Sequence, residues 1–519
     1  MKQHNQEKSV KANSPRDGEM NSPWQNLNSP NILTPSQEII FDVLIIGGGI
    51  TGITTALLLQ MEGKKCIVIE AKNLGFGTTG GTSAHLNSFF DSTYADIEKD
   101  FNEDTAKLVA DSGKDTLKSI KNLIERFDIQ CDYETKDGLL FSENEKESKQ
   151  LSKILEASKK AGIDVQKAND NNLPIPYHEV IEFSQQGQFH PLKYLFGLAK
   201  AFVDFGGVIK ENTFVTDTGF EDGLHYAEST HGKIQGLNIV HATHIPQRIS
   251  LFNFKCAPYR SYVIAVTLSD GEYPDQLIYD MKEPYHYFRT HTIDGEKYLL
   301  IGGEDHKTGH SDPEESLKNL ITYAKAYFNI DTIAYQWSSQ YYVPADGLPY
   351  IGPFPGKEKG CYVATGFNGN GMTFGTLSAQ IISDAILGKK NVYAEIYDPS
   401  RIKPIAEFSE LIKENADVAW HFVADRFPTD FISSLKEIDN DTGRIVIYNG
   451  HRIAVYKDHA GKFHALNPTC THAGCIVNWN QIEKSWDCPC HGGRFNIHGD
   501  VISGPPPKNL QKIDIEGKV

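Results

Sequence analysis

The sequence predicts an α/β nucleotide-binding body followed by a small all-β module at the C-terminus. Three observations carry that expectation. An apolar strand near residue 45 runs into a glycine turn and a helix. The middle of the chain alternates strands and turns. Four of the eight cysteines crowd between residues 470 and 490.

The chain has 519 residues, too many for one hydrophobic core, so two or three domains are expected. The 51 basic and 67 acidic residues give a formal net charge of −16. That sign argues against nucleic acid and anionic membrane surfaces as main partners. The longest apolar runs, such as Val43–Ile46 and Cys66–Ile69, are strand-sized. No transmembrane segment is expected, since spanning a bilayer takes roughly 18–20 apolar residues. The polar N-terminus has no apolar stretch of a secretory signal, so the expected location is cytoplasmic. Residues 1–37 read as a disordered or extended tail. Trp24 is out of place there and is a candidate anchor to the folded body.

Residues 38–395 form the expected main unit. Helical periodicity appears at 100–128, 145–162, 190–206, 313–328 and 372–388. Strand and turn patterns fill about 208–306 and 336–364. Residues 396–430 read as a connector: Pro399 and Pro404 break it, and Ile405, Phe408, Leu411 and Ile412 recur at helical spacing. The all-β module takes 431–519.

The first site is built on Phe41–Ile46, a buried parallel-type strand. Gly47-Gly-Gly49-Ile50-Thr51-Gly52 follows and matches G-x-G-x-x-G, and a helix continues from Ile53. The glycines allow backbone to approach a pyrophosphate, and the helix N-terminus offers N–H groups and a positive dipole. Strand Lys65–Ile69 ends at Glu70, placed to hydrogen-bond a ribose, with Ala71 beside it. A second glycine-rich run, Gly75–Ala84, supplies Thr78, Thr79, Gly80, Gly81 and Thr82 along the path of a long cofactor. Ala242-Thr243 ends a later strand. Gly369-Asn370-Gly371-Met372-Thr373 opens a helix whose N-terminus faces developing negative charge. A reduced flavin has such charge at its N1/C2-oxygen edge.

These segments, in this order, resemble the FAD-dependent D-amino acid oxidase superfamily, nearest to its glycine, sarcosine and γ-glutamylputrescine oxidase branch. The resemblance covers about 38–390 and includes Phe189-His-Pro191, Gly206–Thr213 and Asp346–Pro353. It implies a Rossmann-like FAD domain and an antiparallel-sheet substrate domain over the flavin, with Val215 added to the FAD residues. It also implies hydride removal from a carbon beside an amine. No second G-x-G-x-x-G is present, so the electrons are expected from an organic substrate rather than NAD(P)H. By the same resemblance Ala257–Val263 is the strand that enters the substrate domain, and Tyr285–Arg289 and Ile301–His306 line the pocket. Arg260 or Arg289 is then the candidate grip on a substrate carboxylate. His306 is the candidate for orienting substrate.

The second site is Cys470-Thr-His472 and Cys488-Pro-Cys-His491. Two thiolates and two imidazoles in mixed Cys/His halves fit a Rieske [2Fe–2S] cluster. A Cys2His2 zinc is the alternative. The stretch 431–519 resembles the Rieske family. By that resemblance Cys475 and Cys490 form a disulfide tying the cluster loops, and Ser503–Pro507 covers the cluster. The bc-type relatives carry Ser and Tyr donors after the last histidine; here Gly493 and Phe495 stand in their places.

Together the two sites point to a dehydrogenase. A small amine or amino acid is oxidised, and electrons pass from FAD to the cluster and on to an external one-electron acceptor. Two alternatives stay open: an oxidase giving peroxide with a structural cluster, and a non-catalytic electron-transfer or redox-sensing module.

Overall fold

The structure, a computed structural model, describes residues 20–27, 40–168, 173–310, 312–401 and 434–515. Strand Phe41–Ile46 is central because Val43–Ile46 has no polar side chain to present to water. It pairs in parallel with Cys66–Ile69 on one side and Gly232–His241 on the other. Val208–Lys210 and Cys361–Thr365 extend this parallel core. Helix Ile50–Met61 lies against it and is crossed by helix Gly371–Leu387. The crossing is tight: a Cβ at Gly375 would lie 2.8 Å from Ile50 Cγ2.

The second layer is a nine-stranded sheet. Its strands run Ile330–Pro344, Cys256–Leu268, Glu296–Lys307, His286–Ile293, Leu277–Tyr279, Glu134–Ser142, Glu179–Gln188 and His85–Leu86, with Val165–Lys167 off that path. All pairings are antiparallel except Leu277–Tyr279 beside Glu134–Ser142. The helices expected from periodicity are present as Glu103–Arg126, Glu145–Lys160, Pro191–Asp204, Pro313–Tyr327 and Gly371–Leu387.

The C-terminal unit is all-β. A three-stranded sheet, Thr442–Tyr448, His451–Lys457 and Phe463–Leu466, is joined by a four-stranded one from Asn478–Asn480 to Val501–Ser503. Every pairing in it is antiparallel. Among the described residues no helix is long and apolar enough to cross a membrane.

Of the N-terminal tail, Pro23–Asn26 form a short 3-10 helix and Trp24 is fully buried. Its Nε1 donates to Thr82 O at 2.9 Å, so the tail is tied to the glycine-rich loop. The start of the expected connector packs on the body. Tyr397 is buried, and Arg401 Nε and Nη2 each donate to the Asp346 carboxylate at 2.8 Å. Pro404, Ile405, Phe408, Leu411 and Ile412 lie outside the described residues, as do 1–19.

The C-terminal unit docks on strands Cys256–Leu268 and Ile330–Pro344. Side chains alternate across a strand, and this alternation divides two environments. Ser261, Ser339 and Tyr341 line a cavity on one side. Arg260, Ser338, Gln340 and Tyr342 meet the C-terminal unit on the other. The sheet is therefore a partition with one site on each face.

Candidate functional site

The cavity lies between the parallel core and the nine-stranded sheet and has a volume of about 290 Å³. Gly47, Gly49, Ile50, Thr51, Glu70 and Ala71 line one end. Thr78, Thr79, Gly81, Thr82, Val215, Ala242 and Thr243 also border it, as do Gly369, Asn370, Gly371 and Met372. Gly47 has φ +110°, and a Cβ there would lie 2.4 Å from Ala242 O. Thr79 Oγ1 accepts from Ile50 N at 3.1 Å, tying the second glycine-rich run to the first. Glu70 accepts from Gly48 N at 2.7 Å and Lys72 N at 2.8 Å, which fixes its carboxylate at the cavity edge.

Three sequence candidates do not reach the cavity wall. Gly52 is a packing glycine, since its Cβ would run into Gly47 O. The Gly80 carbonyl accepts from Ser22 Oγ at 2.5 Å. Thr373 Oγ1 turns to Asn87 O, 3.3 Å away.

The three proposed catalytic residues are corrected by the same geometry. Arg260 is on the far face of the sheet, 1% exposed, with Nη2 3.1 Å from Glu483 Oε2. His306, its cross-strand partner, faces the same seam. The His306 ring stacks on Tyr262, and its Nδ1 donates to Glu304 O at 3.0 Å. Arg289 is fully buried behind the wall, directed at Ala84 O and Phe189 O and lying beneath Trp24. None of the three borders the cavity.

Other side chains stand there instead, some of them within the stretches expected to line the pocket. Asn87, Asp91, Ser261, Tyr279, Tyr285, Tyr287 and Tyr341 form the sheet-side wall. His85 also borders it, with Nδ1 2.9 Å from Ser83 Oγ and Nε2 3.4 Å from Phe288 O. Burial and the Arg289 charge push His85 down to about 3, so it is neutral. Tyr285 and Tyr287 lie in the expected stretch Tyr285–Arg289 and share one face by period-2 alternation, whereas Asn87, Asp91 and Tyr341 carried no sequence signal.

On the other face, Cys470, His472, Cys488 and His491 converge. The two imidazole rings lie 4.8 Å apart at 85°. All four of their ring nitrogens are buried with no hydrogen-bond partner among the described residues. Buried polar atoms are rarely left so; an iron ligand set accounts for them. Cys470 and Cys488 are unbonded and buried. Cys475 and Cys490 are joined as a disulfide, so they are not available as ligands.

Residues 42–385 match the FAD dependent oxidoreductase family (DAO), and residues 430–514 match the Rieske [2Fe-2S] domain. The chain belongs to the DAO family and carries a C-terminal Rieske domain. The zinc alternative falls with this match. The protein YhfW of Bacillus subtilis (strain 168), named for a Rieske 2Fe-2S iron-sulfur centre, is 34% identical over 92% of this chain and 94% of its own. The gamma-glutamylputrescine oxidoreductase of Escherichia coli (strain K12) is 23% identical over 68% of this chain and 85% of that protein. The crystal structure of glycine oxidase from Geobacillus kaustophilus superposes with a TM-score of 0.59 at 19% identity. It covers 70% of this chain and 99% of that one.

The cavity fits FAD: the glycine turn Gly47–Gly49 and the N-terminus of helix Ile50–Met61 border it, and an acid sits at the end of the second strand. The FAD and Rieske units share a wall. Val501, Ile502, Ser503 and Gly504 of the Rieske domain line the FAD cavity. Tyr342 donates to His491 O at 3.3 Å, and its ring meets the ring of cavity-lining His244 at 4.8 Å. Thr78 Oγ1 donates to Gln340 O at 3.0 Å, and Gln340 Nε2 donates to Gly492 O at 3.0 Å. Two short paths thus connect the cavity to the backbone of the cluster loop.

A Cβ at Gly493 would lie 2.4 Å from Pro506 Cγ, so the proline loop occupies the space a serine would need. Phe495 is fully buried and brings no hydroxyl. Hydrogen bonds to the sulfurs favour the reduced cluster. A redox titration is therefore expected to give a midpoint in the lower part of the roughly −150 to +300 mV Rieske range. A value near the top would show that other donors replace these two.

Proposed function

We propose that the protein is an amine or amino-acid dehydrogenase acting on a CH–NH donor, with electrons leaving through the Rieske cluster to an external one-electron acceptor. The observation that carries this reading is the shared partition: the Rieske loop 501–504 walls the FAD cavity, and Tyr342 touches the carbonyl of His491. Bound in these places, FAD supplies a two-electron acceptor and the cluster a one-electron carrier. The resemblance to a gamma-glutamylputrescine oxidoreductase supports a CH–NH donor.

The chain's own residues do the following. Gly47, Gly49 and the N-terminus of Ile50–Met61 hold the pyrophosphate, and Glu70 the ribose. Gly371 and Met372 begin a helix whose N-terminus steadies negative charge at the cavity. The sheet-side tyrosines exclude water above it. Thr78, Gln340 and Tyr342 keep the two units in register. The residues at the cluster are Cys470, His472, Cys488 and His491, with the Cys475–Cys490 bridge bracing their loops.

The test is anaerobic stopped-flow mixing of the holoprotein with a panel of amines and N-methyl or D-amino acids, following flavin and cluster absorbance together. Flavin bleaching followed by cluster bleaching is the expected result. Flavin bleaching beside an indifferent cluster would make the Rieske domain structural. No bleaching with any amine would overturn the reading.

A further inference from the structure

Among the described residues, the sheet-side wall of the cavity carries acid and aromatic rings but no arginine. Asp91 borders the cavity beside Gly369, where a Cβ would lie 2.4 Å from Asp91 Oδ2 and 3.6 Å from the Tyr285 hydroxyl. A side chain at Gly369 would press on the Asp91 carboxylate, so the glycine lets that carboxylate stand at the cavity wall. Tyr341 donates to Asp305 Oδ2 at 2.7 Å, and Asp305 Oδ1 is buried without a hydrogen-bond partner among the described residues. Tyr287 and Ser261 hydroxyls meet at 3.1 Å. Tyr279, Tyr285, Tyr287 and Tyr341 all contribute to the wall. The cavity's one lysine among the described residues, Lys72, sits beside Glu70 at the glycine end, and both histidines in the wall, His85 and His244, are held neutral by burial. A carboxylate-bearing substrate would find no cation on this wall. A cation would find a carboxylate and aromatic side chains, the residue types that recognise ammonium groups.

We propose that the substrate-facing wall is a cation site that binds an amine without a carboxylate, with Asp91 as its counter-ion, Asp305 behind Tyr341 as a second acid, and Tyr285, Tyr287 and Tyr341 as its aromatic wall. This rests on the amine reading above and names the substrate class within it. Asp91 opens into the cavity, and the protein packed around it raises its carboxyl to about 6; desolvation raises Asp305 to about 7. The titratable groups facing the pair are Tyr279, Tyr285, Tyr287, Tyr341 and Glu283. A raised carboxyl is neutral below its pKa. Affinity for a cation therefore rises as pH climbs through 6 and 7 and levels off above.

The experiment uses the full-length protein with both cofactors bound. Putrescine, a dication, and sarcosine, a zwitterion, are titrated anaerobically against the flavin absorbance. Putrescine is expected to bind at least about tenfold more tightly than sarcosine. Asp91→Asn keeps the shape and removes the charge. It is expected to weaken putrescine at least about tenfold, to leave sarcosine within about twofold and to flatten the pH dependence. FAD content, read from the visible spectrum, confirms that the variant is folded. The wild-type pH profile is the second measurement and needs no variant. Putrescine binding that depends on Asp91 without bleaching the flavin keeps the cation site and overturns the amine-oxidation reading. Sarcosine bleaching the flavin equally in wild type and Asp91→Asn, with putrescine weaker, keeps that reading and overturns the cation site.

Discussion

Arg260→Leu is expected to lower the stability of the holoprotein by about 3–5 kcal/mol, the usual cost of breaking a buried ion pair from one side. Glu483 is fully buried and receives hydrogen bonds from both Arg260 and Arg494, at 3.1 Å and 2.5 Å. Arg494 also donates to Asp487 Oδ1 at 2.9 Å, and Asn480 and Ser485 complete that carboxylate. Two guanidinium groups and two carboxylates thus balance in the seam between the units. Burial taxes the Asp487 carboxylate, but the Arg494 and Arg260 charges outweigh it and hold its pKa below the usual range. With Arg260 gone, Glu483 keeps one cationic partner in a place water does not reach. Thermal unfolding followed through flavin and cluster absorbance separately reads the loss, and the Rieske transition should come first. A double variant, Arg260→Leu with Glu483→Leu, should recover part of it, because matched apolar groups replace a buried pair at low cost. The substrate-gripping role expected from sequence gives the opposite pattern: unchanged unfolding and a raised KM.

That contrast marks where sequence reasoning succeeds and where it stops. The proposed cluster site was legible because Cys470-x-His472 and Cys488-x-x-His491 are each local, and the fold brings the two halves together. The glycine turn after Phe41–Ile46 was legible for the same reason. Strands Glu134–Ser142 and Glu179–Gln188 were not; ETKDGLLFS and EVIEFSQQGQ are polar at one end and apolar at the other, so neither period stands out. Arg260 and His306 failed by a single residue. Their neighbours Ser261 and Asp305 belong to the cavity side of the partition, whereas they face the Rieske domain. Alternation can be read along one strand, but which face meets which site is fixed only when the second unit docks. The Rieske wall of the FAD cavity, Val501–Gly504, depends on contacts more than 150 residues apart in sequence, such as Tyr342 to Gly504, and no local pattern announces it.

Replacing His491, a proposed cluster ligand, by alanine is expected to cost the protein its cluster and to weaken its hold on FAD as well. The Rieske unit has a small core, centred on Trp486, Phe495, Val477 and the cysteines themselves. A unit of that size leans on its metal centre, and loss of a ligand is loss of folding free energy. When its loops loosen, Val501–Gly504 leave the FAD cavity, Tyr342 loses its acceptor at His491, and Gln340 loses the Gly492 carbonyl. Arg260 is then left without Glu483. FAD bound against a missing wall should dissociate at least about tenfold more readily, a difference of about 1.4 kcal/mol. The measurement is iron and flavin content after gel filtration, with the flavin dissociation constant from fluorescence. Cys66→Ala is the control, a buried cysteine in the parallel core away from the cluster. If His491→Ala loses iron and keeps FAD at wild-type affinity, the Rieske fold docks without its cluster. The wall of the flavin site would then be a property of the polypeptide alone.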